Sequence, residues 1–293
     1  MNVVETCGLT RRFGRTTAVD QVDLSLSAGT VNVLIGANGA GKTTLIKLLT
    51  HLIPPSSGSA RIWGTPTRDL GPAQFRRIGY VSENLCQLEG LTVKRLMETW
   101  RPLYPTWDRA LEAKLCRDFE LPLDGKLSQL SRGMAMKAAL ASVLAHRPEL
   151  LILDEPLSGL DLLTRDQVVK GVLDLVSEEG CTVLVSSHEI NEVETLADRL
   201  LWLEHGRLQL AEDAESLRRR FRSVELLNDH DPVPDQAWQV QRDAGRICYI
   251  DPAFDAATTP ANAIITPLPL RQIYVALLRG SKGAPNSTSS LVA

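Results

Sequence analysis

Apolar residues in the first part of the chain follow two alternating periods. Val31, Val33 and Ile35 lie in a β-branched run that predicts a strand. Gly41 to Thr50 follows, with Leu45, Leu48 and Leu49 on one helical face. Leu150 to Leu153 predicts a short apolar strand, Leu163 to Ser177 a helix, and Thr182 to Ser186 a further strand. Such strand–helix alternation through about residue 210 predicts an α/β core with parallel strands.

Two stretches break that rhythm. Between Val93 and Ser131 the pattern is helical, with Val93 to Leu103 and Arg109 to Phe119 as helices and Pro102, Pro105 and Pro122 as punctuation. This predicts a small helical subdomain inserted into the α/β core. After Phe221, Val224 to Leu227, Trp238 to Gln241 and Ile247 to Ile250 predict short strands, and Leu270 to Leu278 a helix. That segment reads as a small appended domain. Gly280 to Ala293 has the polar, low-complexity composition of a disordered tail.

Composition narrows the class. The 293 residues are 44% hydrophobic and 23% charged, with a net charge of −3, which is ordinary for a globular chain. A near-neutral balance gives no bulk electrostatic case for nucleic acid. No window approaches the ~18 apolar residues of a membrane helix; Ala135 to Ala145 comes nearest and carries Lys137. Met1 to Phe13 has no apolar run of the secretory type. Cys7, Cys86, Cys116, Cys181 and Cys248 are scattered without C-x-x-C spacing, as expected of reduced, mostly buried thiols in a cytosolic protein. His51, His146, His205 and His230 share no metal-ligand spacing and read as surface or boundary histidines.

Residues 36–43 read Gly-Ala-Asn-Gly-Ala-Gly-Lys-Thr, a full match to G-x-x-x-x-G-K-[ST] between a strand and a helix. Glycines there let backbone N–H groups turn inward around phosphate oxygens, and the helix N-terminus adds its positive dipole end. Gly36, Asn38, Gly39, Ala40, Gly41 and Thr44 form the candidate cradle. Lys42 can reach the β and γ phosphates, and Thr43 can ligate Mg²⁺ through its hydroxyl. Leu150-Leu-Ile-Leu-Asp-Glu-Pro156 is an apolar strand ending in two acids. Asp154 stands where a carboxylate holds Mg²⁺ through water, and Glu155 where one could face the attacking water.

With these motifs the chain resembles the ATP-binding cassette (ABC) ATPases over about residues 3–220. Leu130-Ser-Arg-Gly-Met134 stands where the family's LSGGQ signature belongs. Leu157-Ser-Gly-Leu-Asp161 is similar to the D-loop, and His188, after Val183-Leu-Val-Ser-Ser187, to the switch histidine. Phe13 stands where an aromatic stacks on adenine, and Ile78-Gly-Tyr-Val-Ser-Glu83 where the Q-loop lies. The fold implied is a P-loop NTPase core with a mixed sheet, an inserted helical subdomain and an antiparallel β subdomain, followed by the small α+β appendage. Residues 1–221 would form the nucleotide-binding domain, with its helical subdomain at about 84–146. Residues 222–279 would form the accessory domain and 280–293 the tail.

The resemblance also implies a mechanism. Two cassettes pair head to tail, with ATP and Mg²⁺ held between the P-loop of one and the signature of the other. Ser131 and the Gly133 backbone would contact the γ-phosphate across the dimer, Glu155 would polarise water, His188 would hold the γ-phosphate and Asp161 would link the two sites. Thr43, Asp154 and Glu83 would hold the metal. Glu83 replaces the family's glutamine, and Gln87 is the alternative if that loop is shifted. Arg132 replaces a signature glycine, either facing the γ-phosphate or pointing to solvent, and Met134 replaces the glutamine. S-E-N loops with L-S-[KR]-G-M signatures are similar to those of the bacterial ABC-2-type exporter branch. The implied partners are a transmembrane permease and a second cassette, as a homodimer or a mixed pair, on the inner face of the cell membrane. Trp100-Arg-Pro-Leu-Tyr-Pro-Thr-Trp107 either packs the helical subdomain or faces that permease. A soluble cassette working on ribosomes or DNA fits less well, with one P-loop, no heptads and no basic excess. An unrelated P-loop kinase or GTPase leaves the signature, D-loop and His188 unexplained. A cassette that binds ATP and turns over little is the third alternative, motivated by Glu83 and Arg132.

Overall fold

The computed structural model describes residues 1–82, 90–228, 231–243, 246–256, 259–260 and 263–280. Glu83, Gln87, Cys86, His230 and the expected tail after residue 280 lie outside them. Among the described cysteines Cys181 is buried and Cys116 half-buried, but Cys7 and Cys248 are exposed on strands, so the thiols are not mostly buried. Two compact units are formed, Met1–Ala211 and Glu212–Ala293. The division precedes the expected 221/222 boundary, so the helix starting at Ala214 belongs to the second unit.

The first unit opens with a hairpin, β1 (Asn2–Phe13) and β2 (Thr16–Ser27), in which Val19, Val22, Leu24 and Leu26 are buried. β3 (Val31–Ile35), buried at all five positions, leads into α1 (Lys42–Leu49). Next come β4 (Ser57–Ile62), β5 (Thr65–Pro66), α2 (Pro72–Phe75) and β6 (Ile78–Val81). The helical insertion consists of α3 (Val93–Trp100), α4 (Arg109–Asp118) and α5 (Arg132–Leu144). The chain returns through β7 (Leu150–Asp154), α6 (Leu162–Glu179), β8 (Thr182–Ser187), α7 (Ile190–Val193), β9 (Arg199–Glu204) and β10 (Arg207–Asp213).

Strand order gives two sheets in this unit. One, β2-β1-β4-β5, is antiparallel. The other runs β10-β9-β3-β8-β7-β6, with β6, β7, β8, β3 and β9 parallel. Parallel strands covered on both faces read as continuous apolar runs, and β3, β7 and β8 have no exposed position. Leu45, Ile46, Leu48 and Leu49 of α1 join the apolar faces of both sheets in one core. Register aligns Ile35 with Ser187 and Asp154 with Ser186, so the carboxyl ends of β3, β8 and β7 lie side by side. Ligands of α/β folds bind at this edge, where strand order crosses over.

Caps fix the helical insertion. Thr92 Oγ1 accepts from Arg95 N, Asp108 Oδ1 from Ala110 N and Leu111 N, and Ser131 Oγ from Met134 N. The aromatic cluster packs within the insertion. Trp107 Nε1 donates to Glu112 Oε2 at 2.7 Å, and the same carboxylate takes both arms of Arg101. Tyr104 stacks on His146 with centroids 4.1 Å apart and planes 13° from parallel. His146 is therefore a buried residue, not a surface or boundary one. The apolar helix α5 ends in the turn that carries it, so burial of Leu144 and Ala145 takes the imidazole inside as well.

In the second unit, α8 (Ala214–Arg220) precedes β11 (Arg222–Leu226), β12 (Trp238–Asp243), β13 (Arg246–Asp251), β14 (Ile264–Pro267) and α9 (Leu270–Gly280). The strands form an antiparallel sheet, β12-β13-β11-β14, over Val224, Leu226, Ile247 and Tyr249. This is the small α+β arrangement expected of the segment. β14 escaped the pattern because its four residues are all exposed and show no alternation.

His146 makes a stability prediction. Burial holds its imidazole neutral, lowering its pKa from 6.5 to about 4, and Nδ1 has no hydrogen-bond partner among the described residues. As pH falls through 6.5 the unfolded chain takes up the proton first, so stability drops between about 6.5 and about 4 and then levels off. The expected loss is on the order of 3 kcal/mol. His146→Phe keeps the stack on Tyr104 and should flatten this part of the pH dependence, read by urea unfolding at stepped pH.

Candidate functional site

The loop joining β3 to α1 is shaped by two glycines. A Cβ on Gly41 would sit 2.3 Å from the Ala18 carbonyl oxygen, and its φ of +108° lies outside the range of L side chains. A Cβ on Gly36 would lie 2.4 Å from the Leu203 carbonyl oxygen. Backbone from β2 and β9 thus presses on both ends of the loop. Asn38 and Gly39 are exposed between them, Ala40 is buried, and Thr43 and Thr44 begin the first turn of α1 with Thr43 exposed. Inward-turned N–H groups at a helix start can receive phosphate oxygens.

Lys42 turns back over this loop and is buried. Its Nζ donates to Gly36 O at 2.7 Å and Ala37 O at 3.2 Å and lies 3.1 Å from Glu155 Oε1. The other oxygen of that carboxylate, Oε2, is 2.8 Å from His188 Nδ1. One carboxylate therefore spans a lysine from the β3–α1 loop and a histidine from the end of β8. Glu155 reaches both with a backbone φ of +52°, a left-handed conformation costing a non-glycine residue about 1–2 kcal/mol.

Ser186 holds the two acids in place. Its hydroxyl donates to Asp154 Oδ1 at 2.7 Å, and its oxygen accepts from Glu155 N at 2.9 Å. Ser186 and Asp154 are both buried. The Asp154 charge, after burial, helps push the neighbouring Tyr80 phenol up to about 12, so Tyr80 stays a neutral hydroxyl at the edge of the site. Asp154 and Thr43 supply hard oxygen donors, the type suited to Mg²⁺.

The structure gathers the other predicted residues into a second group. Ser131 caps α5, and a Cβ on Gly133 would meet Thr164 Cγ2 at 3.2 Å and Leu160 Cδ2 at 3.6 Å. Asp161 caps α6, with Oδ1 accepting from Thr164 N and Oδ2 from the Thr164 hydroxyl. Those two bonds, backbone first, hold the Asp161 carboxyl below the usual range. Arg132 is exposed, and its guanidinium lies beside Gly159, where a Cβ would be 3.7 Å from Cζ, Nε and Nη1. Its exposure agrees with the solvent-facing alternative, and its neighbour Gly159 lies in its own Leu157–Asp161 segment. Phe13 ends β1, 48% exposed, with Arg11 Cζ 4.6 Å from the ring centroid. Glu83 and its alternative Gln87 are outside the described residues.

Sequence reasoning missed Ser186, Arg165 and Glu192. Two serines closing an apolar strand were the available signal for the first. Glu192 is buried in contact with Ser187 and Arg165, a tertiary pairing with no local sequence signature.

Comparison with known proteins bears on this geometry. Residues 19–158 match the ABC transporter family. The chain is 38% identical over 210 residues to the daunorubicin/doxorubicin resistance ATP-binding protein DrrA of Streptomyces peucetius, covering 70% of this chain and 63% of that one. It is 31% identical over 222 residues to the bacitracin transport ATP-binding protein BcrA of Enterococcus faecalis, covering 75% and 72%. It is also 39% identical over 208 residues to the aliphatic sulfonates import ATP-binding protein SsuB 1 of Nocardia farcinica, covering 70% and 79%. Among solved structures, a dimeric post-hydrolysis ATP-binding cassette bound to ADP and Pi superposes with a TM-score of 0.64 at 25% identity, over 72% of this chain and 98% of that one.

Removing the Ser186 hydroxyl leaves a buried carboxylate oxygen and the Glu155 N–H without their shared partner. Ser186→Ala should lose about 1–3 kcal/mol of unfolding free energy in a urea titration.

Proposed function

The chain belongs to the ABC transporter family as an ATP-binding, ATP-hydrolysing cassette, and we propose that it powers export through a separate transmembrane subunit by closing head to tail on a second cassette. The observation that carries the catalytic reading is the Glu155 carboxylate held between Lys42 and His188. No described helix is long and apolar enough to cross a membrane, and a permease would supply the path. The daunorubicin/doxorubicin resistance relative and the Arg-Gly-Met signature support export, and the sulfonate importer among the relatives makes direction a matter for reconstitution. The cassette would then sit on the inner face of the cell membrane.

The residues divide the chemistry between them. Gly36 to Thr44 wrap the phosphates, and Phe13 offers its exposed ring to the adenine. Phosphate oxygens compete with Glu155 and the two loop carbonyls for Lys42 Nζ. Once Lys42 turns to phosphate, Glu155 Oε1 is open to accept a proton from the attacking water, while Oε2 stays on His188 Nδ1. His188, held at Nδ1 by Glu155, keeps its other ring nitrogen for the γ-phosphate and the water beside it. Thr43 and Asp154, with Glu83 as the further candidate, would hold Mg²⁺, which when bound screens the phosphate charge and orients the β and γ groups. Ser131 and Gly133 belong to the second group and would serve the partner cassette's nucleotide, with Asp161 beside them.

Glu155→Gln tests this reading. A lost general base should lower phosphate release by about 10²–10⁴-fold. ATP binding should persist, and solution mass measured with Mg²⁺ should move from monomer to dimer only when ATP is added. Bound ATP without a mass shift would remove self-pairing. A wild type no faster than the variant would indicate a cassette that binds ATP and barely turns over.

A further inference from the structure

Glu192 is a carboxylate with 2% of its side chain exposed, and the chemistry above does not use it. Its Oε1 is 2.9 Å from Arg165 Nη2, and its Oε2 is 3.0 Å from the Ser187 hydroxyl, which also has Glu189 O in reach at 3.1 Å. Ser187 is the residue before His188. The Ser187 oxygen also accepts from Glu189 N at 3.0 Å, and the Ser187 carbonyl accepts from Gly36 N at 3.3 Å. On the far side, Arg165 Nε donates to Leu160 O at 3.0 Å, between Gly159 and Asp161. A continuous chain of bonds therefore runs from the His188 segment through Glu192 and Arg165 to the Gly159–Asp161 loop.

A buried ion pair is weak evidence for stability, because desolvation offsets most of the attraction. What this pair supplies is geometry. The planar guanidinium serves two acceptors in a fixed fork, one on each segment, so neither segment can shift without breaking a buried charged contact. The segment at one end touches the nucleotide loop through Gly36. The loop at the other end lies with Ser131 and Gly133 in the group assigned to the partner cassette.

We propose that Arg165 and Glu192 are positioning residues that lock the Gly159–Asp161 loop to the His188 switch, so that each cassette presents its second group correctly only when its own nucleotide site is set. This rests on the head-to-tail reading above. Arg165→Lys is the direct test. An ammonium still neutralises Glu192, but it lacks the fork that holds Leu160 O at the same time. Arg165→Met with Glu192→Leu removes the pair without leaving a lone buried charge, a type of replacement that is often neutral for folding. Steady-state hydrolysis by the full chain over a range of ATP, with melting temperature alongside, should show kcat down about tenfold or more while KM for ATP stays within about twofold and melting is unchanged.

Variants with wild-type kcat at wild-type melting temperature overturn the proposal. So does a loss of kcat that only tracks a loss of melting temperature in both variants, since the pair is then structural. A wild type that neither hydrolyses ATP nor dimerises with it removes the head-to-tail reading and this coupling together. A wild type that does both, beside unchanged variants, removes the coupling alone.

Discussion

A single buried carboxylate organises this cassette. Glu155 is mostly buried, with a lysine ammonium on one oxygen and an imidazole on the other. A charge so placed is tolerable only while its partners stay in reach. The carboxylate and its two partners come from three separate chain segments, so the requirement fixes the ends of β3, β7 and β8 relative to one another. Glu155 accepts a left-handed backbone to satisfy it, and the cost of about 1–2 kcal/mol is small beside that of an unpaired buried charge.

The parallel sheet makes this arrangement available. β8 lies between β3 and β7 although it follows both in sequence, so crossover connections bring the Lys42 loop, the Asp154–Glu155 pair and His188 to one edge. Ser186 and Ser187 close β8 and work in opposite directions. Ser186 turns to the acids of β7, and Ser187 turns to Glu192 and, through it, to Arg165 on α6. Polar groups at the end of an otherwise apolar strand thereby serve two networks without leaving a donor or acceptor unmet.

The β3–α1 loop was legible because its chemistry is local: glycine at fixed spacing, then lysine and threonine, between a strand and a helix. The apolar strands were legible because full burial leaves continuous apolar runs. Exposed β14 left no such trace, and His146 was misread because a lone histidine carries no sign of the tyrosine that will stack on it. The Arg165–Glu192 pair was invisible for a related reason. Its residues are 27 positions apart and are joined only when α7, after β8, comes beside the start of α6. Spacing encodes contacts within a turn or a loop; contacts made by the sheet's crossover order have to be seen in three dimensions.

Arg132 shows how a departure from a family pattern can be absorbed. A glycine there would leave the backbone bare, whereas arginine adds a long charged side chain at a helix start, where a positive group meets the positive end of the dipole. The structure turns that chain sideways, over a glycine whose φ of +70° and missing Cβ leave room for the guanidinium. Ser131 keeps its capping bond to Met134 N, and Gly133 keeps its close approach to Thr164. The substitution therefore leaves the capped helix start intact and changes what lies beside it. Gly159 then has Arg132 across its face, and the next carbonyl, that of Leu160, accepts from Arg165 Nε. Arg165 therefore ties this loop to α6 by a hydrogen bond, while Arg132 fills the space that the missing Cβ leaves beside it.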